Sequence, residues 1–284
     1  MQIAISGNTG FIGSHLSAYL YQSGHQIIPL KRNLFQDGML PHLMESINGC
    51  DVVINLAGAP INHRWTSTYK KTLYDSRMIP TQMLVTAINS IKQPPQLFIS
   101  TSAIGYYLPG DCYDEYTGKR GSGFLAELCQ QWEQEAHKLP PSVRLVINRF
   151  GVVLSPDGGA LKPYTCMSKI KLNTVLGKGT QAFSWIALQD LLRAIRFIID
   201  TPSLKGVFNF VAPQVVSHAE FAKAISEHYH TLVTLKVPRT LLQLIYGEAS
   251  GFLTDDLCVR PTRLSEAGFH FQCENLDQFF KSIP

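Results

Sequence analysis

Residues 2–13 read Gln2-Ile-Ala-Ile-Ser-Gly-Asn-Thr-Gly-Phe-Ile-Gly13, and this stretch decides the fold. Gln2–Ser6 is a short apolar strand, after which the period turns helical through Ile12, Leu16, Leu20 and Tyr21 until Gly24 ends the helix. Gly7, Gly10 and Gly13 stand between the two elements. A strand-to-helix turn of this kind uses a residue with positive φ, a backbone that can approach a pyrophosphate, and a helix laid close against the sheet. Glycine serves all three needs, and the helix amides then face the phosphates of a bound dinucleotide.

A second strand, Gln26–Leu30, follows at once, completing the unit whose strands pack parallel with a right-handed crossover. Asp51–Leu56 has apolar residues on successive positions, as suits a strand covered on both faces. Helical spacing resumes over Tyr69–Ile91, with a bend expected near Pro80. Leu97–Ser100 gives the next strand, a helix runs from about Gly123 to Leu139 before Pro140-Pro141, and Val143–Asn148 adds another buried strand. This alternation predicts an α/β fold with a Rossmann-type doubly wound parallel sheet. Beyond residue 150 the rhythm loosens. A helix over Leu188–Ile199 and a strand over Gly206–Val211 most simply rejoin the main sheet. The expected division is residues 1–151 with 184–212 as the nucleotide-binding domain, and 152–183 with 213–284 as a smaller, discontinuous C-terminal lobe. The lobe is read with a helix near 217–228 and a strand over Thr231–Val237.

Composition narrows the function classes. The chain has 284 residues, 45% of them hydrophobic, and its net charge of +4 comes from 25 basic and 21 acidic residues without blocks or stripes. That scatter speaks against a nucleic-acid surface. The first residues lack a basic leader region and a small-residue cleavage site, and no apolar run reaches the length of about 20 residues that crosses a bilayer. Cys50, Cys112, Cys129, Cys166, Cys258 and Cys273 are widely spaced with no CxxC pair, so reduced thiols in a cytoplasmic setting are expected, with neither a disulfide framework nor a zinc site. His228 and His230 are read as lying near a helix end, not on a metal.

The end of the second strand refines the ligand. An NAD site usually places Asp or Glu there for the ribose hydroxyls, whereas this chain has Lys31-Arg32. Arg32 can pair bidentately with a 2′-phosphate, which points to NADP as cofactor; the competing reading leaves both cations merely solvated. In the next strand-end loop, Asn55-Leu-Ala-Gly58, Leu56, Ala57 and Gly58 give room for a cofactor to pass, while Asn55 either joins them or satisfies buried backbone groups.

The glycine spacing differs from GxGxxG by one residue, as in short-chain dehydrogenases. The chain resembles the extended, epimerase-like branch of the short-chain dehydrogenase/reductase superfamily, in particular its YfcH-like or SDR39U-type subgroup. The resemblance rests on Gly7–Gly13, Asn55–Ile61, Arg64-Trp65, Asp75-Ser-Arg77, Ser102–Tyr107, Gly123–Cys129, Trp132-Glu133, Arg149–Leu154, Gly158–Leu161, Phe183–Ile186, Asp190, Ala212-Pro213 and Gly268-Phe269, and so covers nearly the whole chain. It implies an NADP-binding, epimerase-like oxidoreductase of undefined substrate, the options being a small polar compound, nucleotide-sugar-like or otherwise, or none. It also implies a family-specific C-terminal domain over roughly 236–282 and a homodimer, since extended members often pair through helices. The implied cofactor residues are Gly7, Asn8, Thr9, Gly10, Phe11, Ile12, Gly13, Lys31, Arg32, Leu56, Ala57, Gly58, Arg77, Ser100 and Thr101.

In the superfamily a Ser, a Tyr and a Lys handle the ketone or alcohol. Ser102 matches the Ser, but the Tyr-x-x-x-Lys positions fall on Phe124 and Leu128, neither of which can exchange a proton. A shift by one residue gives Leu125 and Cys129. The chain also departs from its subgroup at Ala187, usually His, and at Leu108, usually Gly. The remaining candidate donors are Tyr106 and Tyr107, at the carboxyl edge of the sheet, with Lys70 or Arg77 as a nearby positive charge; the planar fork of Arg77 better suits anchoring a loop or a phosphate. Asp111, Asp114 and Glu115 serve as acids or bases only if buried, and Glu127 and Cys129 lack a reason for a shifted pKa. Ser184 and Trp185 are expected at the mouth of the cleft, and Asp190 is read as touching a ligand or accepting hydrogen bonds at a helix start. Two readings of function follow: catalysis with Ser102, Tyr106 and Tyr107 as candidates, or a non-catalytic NADP(H)-binding sensor or scaffold.

Overall fold

The computed structural model describes residues 1–283. The apolar strand read first is β1 (Gln2–Ser6), and it leads through the glycine turn into α1 (Phe11–Gln22) and β2 (Gln26–Leu30). A short helix unread in the sequence, α2 (Leu40–Ile47), precedes β3 (Val52–Asn55); its Leu43 and Ile47 are buried. Next come α3 (Ser67–Ser90) and β4 (Leu97–Ala103). Pro80 sits inside α3 without ending it, and Thr66 caps its start by accepting from the Tyr69 amide. After the two-residue strand β5 (Cys112–Tyr113), α4 (Phe124–Ala136) and β6 (Arg144–Phe150) close the first half.

The second half runs through β7 (Val152–Ser155), β8 (Gly158–Gly159), α5 (Lys162–Ser168), β9 (Leu172–Leu176), β10 (Ala182–Phe183) and β11 (Trp185–Ala187) to α6 (Leu188–Asp200) and β12 (Gly206–Phe210). It finishes with β13 (Val216–Ser217), α7 (His218–Tyr229), β14 (Val233–Val237), α8 (Arg239–Tyr246), α9 (Gly251–Thr254), β15 (Cys258–Val259), α10 (Thr262–Glu266) and α11 (Leu276–Ser282).

Six strands form the central sheet in the order β12-β6-β4-β3-β1-β2, all of them parallel. Strand alternation sends successive side chains to opposite faces. Ile3, Ile5, Ile54 and Ile99 therefore pack with Leu16 and Leu20 of α1 and Leu191 and Ile195 of α6. Ala4, Val53 and Phe98 pack with Leu43, Leu84 and Ala136 from α2, α3 and α4. The strand order reverses between β1, β2 and β3, and ligands of doubly wound sheets lie outside the carboxyl ends at such a point. A separate core around Trp185, Phe221 and Phe279 holds the C-terminal lobe together.

The expected set of six reduced thiols is corrected: Cys112 and Cys258 form a disulfide across 146 residues of sequence. Linear spacing cannot foresee it, because the two cysteines meet through the long-range pairing of β5 with β15. Among the described residues no helix is long and apolar enough to cross a membrane.

Candidate cofactor and substrate site

The glycine turn has the geometry its sequence requires. Gly7 has φ +68°, and a Cβ there would lie 2.7 Å from the Leu56 carbonyl oxygen. A Cβ on Gly13 would lie 2.1 Å from the Gly7 carbonyl oxygen, so α1 can approach the turn this closely only without a side chain. Gly10 occupies the N-cap of α1 with no side-chain cap, and the first turn carries no acid. The first amides of an α-helix have no partner within it, so this end presents unsatisfied donors and partial positive charge. Phe11 packs against the β7–β8 hairpin, where a Cβ on Gly158 would meet its ring at 2.7 Å.

Lys31 and Arg32 follow β2 on the same edge of the sheet, both exposed and without a partner among the described residues. Of the two readings of Asn55, the structure supports the internal one. Its Oδ1 accepts from Ser6 Oγ at 2.6 Å and from the Ala57 amide at 3.3 Å, and its Nδ2 donates to Thr81 Oγ1 at 2.8 Å. Arg77 donates to the carbonyls of Leu73 and Ala59, each at 3.1 Å, and a Cβ on Gly58 would touch its guanidinium at 3.1 Å. Arg77 is thus the anchor of the loop after β3, with its guanidinium also lying over Trp132.

At the carboxyl ends of β4 and β6, Thr101 faces Asn148 across the ladder on the α1 side of the sheet. Thr101 Oγ1 and both polar side-chain atoms of Asn148 are buried and have no hydrogen-bond partner among the described residues. Buried polar atoms are rarely left so, and these suit a polar group entering the crevice between α1 and the sheet. With the uncapped helix end and the free cations, they make the residues present fit a dinucleotide carrying a 2′-phosphate.

The other face of the same sheet end is self-satisfied. Ser102 Oγ donates to Glu133 Oε1 at 2.7 Å, and Arg149 grips both Glu133 oxygens at 2.8 and 2.6 Å. All three side chains are buried. Burial works against the Arg149 charge, but its hydrogen bonds and charge pairing with Glu133 outweigh that and raise its pKa. Its guanidinium lies 3.5 Å from the Tyr106 ring centroid and 4.8 Å from that of Tyr107. Tyr107 Oη donates to Asn209 Oδ1 at 2.8 Å, its ring stacks on Tyr113, and burial raises its pKa. In this structure the hydroxyl protons of Ser102 and Tyr107 are thus spent on partners inside the protein. The Tyr106 hydroxyl has no partner among the described residues.

Phe124 opens α4 and Leu128 lies one turn on, packed with Trp65, Leu73 and Ala249. Cys129 is buried, which pushes its thiol up to about 11, and Glu127 is exposed. Trp132 Nε1 donates to Thr81 Oγ1 at 2.8 Å, tying α4 to α3. Beside the start of α4 lies a cavity of about 510 Å³, bounded by Trp65, Gly105, Phe124, Gln243, Glu248 and Phe252 among others. It opens between the end of β4 and the C-terminal lobe.

Several other expectations resolve into structure. Ser184 Oγ donates to the Leu257 carbonyl at 2.8 Å and accepts from the Val259 amide at 3.0 Å, holding β15 in place. Trp185, expected at the mouth of the cleft, is instead fully buried against Phe279, because β11 pairs with β7 under the lobe. Asp190 accepts from the amides of Gln272 and Cys273, each at 2.8 Å, and pairs with Arg193. Glu115 accepts from the Asn209 amide, and Asp114 closes a turn with Thr117. Asn148, Asn209 and the lobe residues Gln243 and Phe252 were not singled out in the sequence, since nothing in their spacing marks them.

A family model described as "NAD dependent epimerase/dehydratase family" matches residues 3–210. The chain belongs to this epimerase family. A second model, a domain of unknown function called DUF1731, matches residues 237–283, the segment that walls the cavity. The epimerase family protein of Staphylococcus haemolyticus is 36% identical over 99% of this chain and 98% of its own length. The human epimerase family protein SDR39U1 (isoform 2), solved with NADPH, superposes with a TM-score of 0.92 at 31% identity, covering 100% of this chain and 99% of that one. The dTDP-4-dehydrorhamnose reductase of Bacillus anthracis, solved with NADP, has a TM-score of 0.82 at 16% identity over 99% of this chain and 98% of that one, a likeness of fold.

Proposed function

We propose that this epimerase-family protein is an NADP(H)-dependent oxidoreductase acting on a carbonyl or hydroxyl compound of modest size held in the cavity beside α4. The observation that carries the reading is the pairing of an uncapped, acid-free helix end at Gly10 with the unpartnered Lys31 and Arg32. Backbone amides at α1 would hold the pyrophosphate, and Arg32 the 2′-phosphate. The NADPH bound by the human relative supports the same choice. A bound nicotinamide supplies or takes up hydride.

The chain's own part is then to orient the reacting carbon and to hold a proton. Tyr106, next in the chain to Gly105 and Tyr107 of the cavity lining, has a hydroxyl without a partner among the described residues and is our candidate to hold one, and Arg149 of the Ser102–Glu133–Arg149 network lies against its ring. The test is a panel of carbonyl compounds with NADPH consumption as readout. Turnover should appear for at least one, and Tyr106→Phe should lower kcat by about 100-fold, as loss of a positioned acid does. A specific observation favours a second reading: Phe124 and Leu128 carry no exchangeable proton, and Ser102 and Tyr107 are internally bonded. NADPH binding with silence across the panel would select a cofactor-binding sensor or scaffold instead.

A further inference from the structure

The lining of the cavity limits what can enter it. Its floor is aromatic: Trp65 meets Phe124 edge to face at 5.5 Å and stacks with Phe252 at 6.4 Å between ring centroids. Leu128, Leu73 and Ala249 back that floor with a buried apolar cluster. Flat apolar surfaces of this kind favour planar, uncharged groups, with edge-on and offset contacts.

The charged groups around it are already paired. Lys70 forms an ion pair with Glu248 while its ammonium sits 5.2 Å from the Phe124 ring centroid. Arg239 pairs with Asp255 at 3.4 Å. Two cations and two carboxylates cancel, and the carboxylates face the same cavity. A diphosphate entering here would find no free cation, would stand close to Glu248 and Asp255, and would have to displace a carboxylate from its partner to be neutralised. Polar ends of an uncharged ligand have Gln243, Ser122 and Ser250 to meet.

Resting on the oxidoreductase reading above, we infer that the cavity takes a compact, uncharged carbonyl compound with a planar aromatic or conjugated body, and discriminates against nucleoside-diphosphate sugars. Trp65, Phe124 and Phe252 are the specificity determinants, and the Lys70–Glu248 and Arg239–Asp255 pairs are the filter against anions.

The test uses full-length protein and calorimetry, with NADPH binding first measured alone by nicotinamide fluorescence. To the NADPH-saturated protein, 2-acetonaphthone should bind at least tenfold more tightly than UDP-glucose. Phe124→Ala should weaken 2-acetonaphthone at least tenfold while NADPH affinity is retained, and Phe124→Leu, which keeps most of the apolar volume, should fall between. The double variant Glu248→Gln/Asp255→Asn frees both cations and should improve UDP-glucose binding at least tenfold. UDP-glucose binding as tightly as 2-acetonaphthone to the wild type, or neither probe binding, overturns the inference. Failure of NADPH itself to bind strikes the cofactor reading instead, and the first measurement separates the two.

Discussion

The two faces of the sheet end differ in what they leave unsatisfied. On the α1 side the helix end is uncapped, and among the described residues Lys31 and Arg32 have no partners and Thr101 and Asn148 keep buried polar atoms unpaired. On the α4 side Ser102, Glu133, Arg149, Tyr107 and Asn209 bond to one another, leaving the Tyr106 hydroxyl open. Folding alone does not require the first face to be incomplete, and an incomplete face is what a ligand completes. The second face is rigid and finished, so it positions groups more readily than it exchanges protons.

The largest expected effect breaks the finished face. Arg149→Met strands the Glu133 carboxylate in a buried site and should cost about 3–5 kcal/mol of stability, read by urea denaturation. A smaller loss than about 1 kcal/mol would mean that the network carries little weight. Reducing the Cys112–Cys258 disulfide, or replacing both residues with Ser, should cost about 2–4 kcal/mol, because the bridge closes a long loop. Unchanged thermal unfolding with and without reductant would show that the bridge does not constrain the chain.

The incomplete face is broken at the glycine turn. Gly13→Ala places a methyl group where only 2.1 Å separates it from the Gly7 carbonyl oxygen, and should weaken NADPH about 100-fold while the disulfide and the lobe remain. The lobe offers a pH handle. Burial pushes the His218 imidazole down to about 4, so the unfolded chain binds its proton first as pH falls. Stability contributed by the neutral ring is full above about pH 6.5 and is lost down to about pH 4, by roughly 3 kcal/mol over the whole window. His218→Gln should flatten that part of the stability profile, and an unchanged slope would rule out His218 as its source.

How much of this was legible in the sequence follows from range. The glycine turn is local, so its three glycines, its strand and its helix stand in one stretch of residues 2–24 and could be read directly. Phe124 and Leu128 were equally legible, because their chemistry is absent whatever the fold. The internal bonding of Ser102 and Tyr107 was not: Glu133 lies 31 residues from Ser102, and Asn209 lies 102 residues from Tyr107. The disulfide, the buried place of Trp185 and the cavity wall from residues 239–257 depend on the same kind of long-range packing. The sequence pattern of α2 was weak because only Leu43 and Ile47 of its eight residues are buried.

The central claim is that the incomplete face is an NADP site, and a nicotinamide fluorescence titration of the purified protein tests it most directly. NADPH should bind saturably and at least tenfold more tightly than NADH, and Arg32→Ala should erase that preference while leaving NADH binding unchanged. Absence of saturable NADPH binding, or equal affinities for the two nucleotides before and after the substitution, would contradict it.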